Sequence, residues 1–258
     1  MRTFSLWLSV FAAGYFLTVG CGKKDEAKDE GAPGGGDAMV VDAATAATVT
    51  GKIVFDGKAP AATTIKTDAD AQCSKMHAGA PLMAMPVCVN TNNTLKNVFV
   101  YVKSGLEGKK FAVPSESVEI DQHGCEYHPH VFGIRVGQKL LIRNSDPTLH
   151  NIHARGTANA EFNVGQPNQG MTTTKTFSKS EVMVPFRCDV HSWMNAFAGV
   201  VDNPYFAVTG DDGTFSLKGL PPGTYTISAW HEKLGLQETS VTVAAKESKD
   251  ISMTFKGQ

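Results

Sequence analysis

Cys188, His191 and Met194 stand in one short run, Cys188-Asp189-Val190-His191-Ser192-Trp193-Met194, and His150 follows Asn144-Ser145-Asp146-Pro147-Thr148-Leu149 some forty residues upstream. One thiolate, two imidazoles and one thioether form the donor set of a mononuclear copper site with three strong ligands and a weak axial one. Zinc also accepts Cys and His, but a thioether in the fourth position favours copper. Each of these residues alone is more often a core or surface residue than a ligand. Four of the right types in the right order weigh against that bland reading. Such a set leaves no open strong position, so activation of a metal-bound water is not its chemistry. One-electron exchange is, and the chain reads as an electron carrier and not an enzyme.

The ligands need rigid supports. A CxxHxxM run can turn three donors toward one ion when it closes a tight hairpin between two strands. His150 comes after Gly137-Gln138-Lys139-Leu140-Leu141-Ile142-Arg143-Asn144, whose apolar, strand-like character would hold it on a sheet. With these residues in view, VGQKLLIRNSDPTLHNIH followed by PFRCDVHSWM resembles the cupredoxin family, amicyanin-like members above all. The resemblance covers roughly residues 117 to 203. It implies a Greek-key β-sandwich over 115–203 and a copper cofactor, with His150, Cys188 and His191 as equatorial ligands and Met194 as the axial one. It also implies that Asn151 ties the two ligand loops together and that His191 is the surface electron port, with Pro147, Trp193 and Phe197 candidates to line a docking surface, core packing being the equal alternative for Trp193 and Phe197. The partners implied are redox proteins such as a c-type cytochrome or a quinoprotein dehydrogenase. A sensor, storage or scaffolding module that binds copper, carbohydrate or protein is the alternative.

Other histidines carry less. His123, His128 and His130 surround Cys125 and could form a second metal site, but no carboxylate or cysteine arrangement completes it, and Pro129 fixes a turn or an extended entry between two of the rings. His153, three residues after His150, falls on the opposite face of an extended strand and reads as a hydrogen-bonding neighbour. A second, open copper centre would be needed for an oxidase or reductase.

The flanks alternate too. Val49-Thr50-Gly51-Lys52-Ile53-Val54-Phe55 reads as an opening strand, Leu95 to Val102 as a central one, and DDGTFSLKGLPPGTYTISAW as a hairpin around a proline-glycine turn, with strands at Val241-Val243 and Ile251-Phe255 beyond. The hairpin and opening strand are similar to the carboxypeptidase regulatory-like, or transthyretin-like, β-sandwich. About 150 residues separate the two, so the expected architecture is a discontinuous sandwich, 46–114 and 204–258, with the copper module inserted where chain ends lie close. The fold class is all-β, with one short helix expected between Thr67 and Met76.

Residues 1–20 carry Arg2, an apolar stretch too short to span a membrane, and Gly20-Cys21 at its end. This resembles a bacterial lipoprotein signal, which implies lipidation of Cys21, a periplasmic or otherwise extracytoplasmic location and a lipid-anchored protein. Residues 21–45 are charged and glycine-rich and read as a disordered tether. The whole chain has 24 basic and 25 acidic residues. This near balance argues against nucleic acid as a partner. With Cys21 and Cys188 assigned, Cys73, Cys88 and Cys125 remain. Cys73 and Cys125 lie in polar, turn-rich stretches and make the better disulfide, which leaves Cys88 free.

Overall fold

The computed structural model describes residues 38–257. The expected signal, Cys21 and the tether up to residue 37 lie outside them. In chain order the described elements are β1 (Ala47–Asp56), β2 (Thr63–Thr64), α1 (Ala71–Met76), β3 (Met83–Ala84) and β4 (Phe99–Ser104). Next come β5 (Val118–His123), β6 (Glu126–His128), β7 (Val131–Arg135), β8 (Lys139–Asn144), β9 (His150–Ala154), β10 (Phe162–Gln166), β11 (Thr172–Thr176), β12 (Glu181–Arg187) and β13 (Asn195–Val201). The last are β14 (Phe206–Val208), β15 (Thr214–Leu220), β16 (Gly223–His231), β17 (Gly235–Val243) and β18 (Ser248–Lys256). The protein is all-β, and no helix among the described residues is long and apolar enough to cross a membrane.

Two pairs of sheets enclose two cores. One pair has the orders β15-β1-β18 and β14-β4-β16-β17. Strand side chains alternate between faces, and in β1 this turns Val49, Ile53 and Phe55 inward to meet Val100, Val102, Tyr225 and Ile227. The other pair has the orders β10-β9-β12-β13-β7 and β11-β8-β5-β6. Its core joins Ile120, Leu140 and Ile142 to Ile152, Phe186, Ala198 and Val200. Each large aliphatic or aromatic side chain so buried contributes roughly 1.5–3 kcal/mol.

A third cluster, Phe99, Val131 and Val201 with Phe197, Phe206 and Trp230 packed on it, lies between these sheet pairs. The Phe197 and Trp230 rings stand 5.1 Å apart. Nearby, His130 Nε2 meets Glu232 Oε1 at 2.6 Å. The short helix begins one turn later than the earliest residue expected, because Asp70 is its N-cap: Oδ1 accepts from the Gln72 and Cys73 amides at 2.8 and 2.9 Å. Cys73 is joined to Cys125 by a disulfide, and Cys88, in an irregular stretch, is a free thiol.

His231, at the end of β16, is 2% exposed. Its Nδ1 accepts from the Lys233 and Leu234 amides. Burial, together with His130 and Lys233 and against the pull of Glu232, lowers its pKa from 6.5 to about 4. Between those two values the unfolded chain binds the extra proton, so stability is full above pH 6.5 and falls as the pH drops toward 4. The loss expected is on the order of 3 kcal/mol. Urea denaturation across this window should show the loss, and His231→Asn, whose side-chain oxygen can replace Nδ1 as acceptor, should flatten it; an equally steep profile in the variant would assign the effect elsewhere.

Candidate metal centre

The loop between β12 and β13 closes on itself. Cys188 N–H donates to Met194 O at 3.1 Å, Met194 N–H to His191 O at 2.9 Å, and His191 N–H to Cys188 Sγ at 3.3 Å. Arg187 faces Asn195 across the antiparallel pair, so the loop is anchored at its base. His150 opens β9, after a turn held by Asn144, which donates from Nδ2 to Thr148 O and accepts at Oδ1 from the Asp146 amide. The two loops bring Nδ1 of His150 to 2.9 Å from Nδ1 of His191, and Cys188 Sγ to 3.8 Å from the latter. One donor atom each from His150, Cys188 and His191 lies within 4.8 Å of the others. His150, Cys188, His191 and Met194 are 0, 2, 1 and 1% exposed.

Both imidazoles are oriented from behind. His150 Nε2 lies 2.9 Å from Asp146 Oδ2, and His191 Nε2 lies 3.3 Å from Asp70 Oδ2. A carboxylate on one ring nitrogen fixes the tautomer and leaves the other nitrogen to a metal. Asp146 also accepts from the Gly124 and Cys125 amides at 2.8 and 2.7 Å. Burial would raise its pKa, but the His150 contact and the two amides outweigh that and lower it. Burial likewise pushes the Cys188 thiol up, and hydrogen bonding from His150, His191 and the Asn151 amide overcomes it and holds the thiol low, toward thiolate. For His150 burial works downward, and the hydrogen bonds with Asp146 and Cys188 win and raise it. Neither carboxylate was singled out from sequence. Asp146 carried a usable signal, four residues before His150; Asp70 is 121 residues from His191 and carried none.

Asn151 joins the two loops. Its Oδ1 lies 3.2 Å from Cys188 Sγ and accepts from the Asp189 amide at 2.8 Å, while Nδ2 donates to Asn163 and Asp189. His153 points away from the donors and meets Asp189 and Glu161.

The expectation for His191 is corrected. His191 is no surface port: the Asp70 end of α1 lies on it, Thr148 Oγ1 donates to Asp70 Oδ2 at 3.0 Å, and the Cys73–Cys125 bond fastens the helix there. Phe197 packs on Trp230, and Trp193, whose Nε1 donates to Cys125 O, packs on the second core, both of them half-buried. The three histidines around Cys125, read from sequence as an incomplete set, do not converge. His123 and His128 have ring centroids 6.4 Å apart, whereas His130 is held by Asn195 O and Glu232.

Residues 170–251 match the family model described as polysaccharide lyase family 4, domain II. A probable rhamnogalacturonate lyase A of Aspergillus terreus is 29% identical over 172 residues, which cover 65% of this chain and 28% of that protein. The chain thus spans under a third of the length of this curated relative. Among solved structures, similarity extends to a copper-containing nitrite reductase from Thermus scotoductus (20% identity, 39% of this chain and 25% of that one, TM-score 0.32). It also extends to a purple cupredoxin from Nitrosopumilus maritimus (21% identity, 32% and 98%, TM-score 0.28) and to an amicyanin variant in its Cu(I) form (18% identity, 39% and 97%, TM-score 0.30).

The family match replaces the expected carboxypeptidase regulatory-like resemblance, which is not shown, and it crosses the boundary expected near residue 203. The expectation that the chain is not an enzyme is overturned by the same finding, because both the family model and the curated relative tie part of this chain to lyases.

Proposed function

We propose that this chain is an extracytoplasmic copper-binding β-protein, with one ion held by Cys188, His150 and His191 and weakly by Met194. The observation that carries this is the convergence of two Nδ1 atoms and a low-pKa thiol in a buried pocket while Asp146 and Asp70 occupy both Nε2 atoms. The donor set fits the ion: a soft sulfur, two imidazoles and a buried thioether suit copper in either of two oxidation states. Copper bound there would supply one-electron exchange. The chain's own residues hold the geometry: Asp146 and Asp70 orient the rings, Asn151 fixes the loop spacing, and burial excludes water. In this reading residues 115–203 form the copper module and the flanking strands a second sandwich. Lipidation at Cys21 would anchor it to a bacterial membrane. With His191 covered, a redox partner such as a c-type cytochrome or quinoprotein dehydrogenase would meet the exposed rim at Pro147, Leu149 and Val190.

Titration of the protein with Cu(II), followed by visible absorption and electron paramagnetic resonance, tests this. An intense thiolate-to-copper charge-transfer band saturating at one ion per chain and lost in Cys188→Ser is expected. A colourless protein, or one that binds copper equally well without Cys188, would sink the reading. A second reading, association with or cleavage of an acidic polysaccharide, rests on the match at residues 170–251. Binding or breakdown of rhamnogalacturonan that survives Cys188→Ser would support it as a separate property of the chain.

A further inference from the structure

β9 runs between β10 and β12 and turns Ile152 and Ala154 into the second core. Side chains alternate along a strand, so Asn151 and His153 share the other face. Asn163 stands opposite His153 on β10, and Arg187 opposite it on β12. Asp189, the residue after Cys188, joins this face from the ligand loop. Its Oδ2 accepts from Asn163 Nδ2 at 2.6 Å, from His153 Nδ1 at 3.0 Å and from Asn151 Nδ2 at 3.1 Å, and Arg187 Nε lies 3.4 Å from Oδ1. His153 Nε2 meets Glu161 Oε1 at 2.5 Å. Carboxylates only accept, so both ring nitrogens of His153 carry protons and the ring is an imidazolium. The Glu161 contact, with Asp189, holds its pKa above the usual imidazole value against the pull of burial. Asn151 joins this charged cluster to the sulfur: Asp189 and Asn163 hold its Nδ2 end, and its Oδ1 lies 3.2 Å from Cys188 Sγ. A partly exposed ion pair adds little to stability, yet this one stands one residue from the thiolate.

We propose that Asp189 and His153 are positioning residues that set the balance between the two oxidation states of copper at Cys188, the carboxylate favouring Cu(II) and the imidazolium restraining it. The inference rests on the copper reading of the site. An oxidised centre carries one more positive charge than a reduced one, so a nearby negative charge stabilises it and a nearby positive charge works against it. Groups behind the ligands tune a metal's potential in this way without touching the ion. Glu161 and Arg187 also bear charge, but their side chains are 56 and 50% exposed against 12% for His153, so solvent screens them more.

The test is a redox titration of the copper-loaded full chain, followed by its thiolate-to-copper band, for wild type, Asp189→Asn and His153→Gln. Each substitution keeps a hydrogen-bonding group in place and removes one charge. Asp189→Asn should raise the potential and His153→Gln should lower it, each by about a tenfold change in the Cu(II)/Cu(I) ratio, or about 59 mV. Loosening of the loop would move both variants in the same direction. Shifts of like sign, or a variant that does not move, therefore overturn the inference. The copper-free protein supplies a second readout: nitrogen NMR at neutral pH should show both ring nitrogens of His153 protonated, and a neutral ring would remove the positive charge that the inference needs. If Cys188 takes up no copper, the copper reading fails and this inference falls with it. If the band forms and the two potentials do not part, only this inference fails.

Discussion

Asp146→Ala is expected to cost about 4 kcal/mol of stability and to weaken copper binding roughly 10- to 100-fold, the range for loss of a partner that orients a metal-bound imidazole. The carboxylate is 1% exposed and serves three donors, the Gly124 and Cys125 amides and His150 Nε2. Alanine leaves all three without a partner, and each buried orphan costs about 1–3 kcal/mol. Asparagine should not rescue. Oδ1 takes the Gly124 amide while Oδ2 takes both Cys125 and His150, so an amide nitrogen in either place would face another N–H donor. The same residue therefore holds the Gly124–Cys125 turn, where the disulfide begins, and the ring of one proposed ligand. Urea denaturation and Cu(II) competition on wild type and both variants check this. An asparagine variant as stable and as tight-binding as wild type would show that the carboxylate charge and its second acceptor oxygen are dispensable.

What could be read in the sequence was local. Cys188, His191 and Met194 lie in seven residues and His150 directly follows a strand pattern, so period and spacing were enough to group them. The alternation in β1 and β16 likewise made the flanking strands visible. What could not be read depends on residues far apart in the chain. Asp70 has the ordinary signature of a helix N-cap, and its Oδ1 serves that role; that its other oxygen reaches His191 is set by how α1 is laid over the second core. For the same reason the port expected at His191 is closed. That His130 is held apart from His123 and His128 by Glu232, 102 residues further along, was equally out of reach. The lyase-family match at 170–251 was missed because a hairpin of alternating residues around proline and glycine is shared by many β-sandwiches and discriminates poorly among them.

Gly199→Ala is the second large effect, expected at about 3 kcal/mol, near the upper end for forcing one methyl into a filled core. Gly199 in β13 and Gly133 in β7 are register partners, so two residues without side chains lie side by side and form a smooth trough on the sheet. Phe99 and Phe206 fill it. A Cβ on Gly199 would sit 2.3 Å from two atoms of the Phe99 ring, and one on Gly133 would sit 2.3 Å from two atoms of Phe206. Neither ring can swing away freely: Phe99 is fully buried, stacked on Tyr101 at 5.3 Å, and its strand is paired on both sides. The strain must then pass into the contact between the two sheet pairs, where Val131 and Val201 complete the cluster. Gly133→Ala should cost a similar amount, and the double variant less than the sum, because both methyls displace Phe99 and neighbouring sites do not add. Gly165→Ala in β10, where a Cβ meets no atom within 4 Å, is the control and should be neutral or slightly stabilising. Thermal and urea unfolding of the four variants decide the matter. If Gly199→Ala unfolds with the midpoint of the Gly165 control, the two sheet pairs are not joined by this close approach.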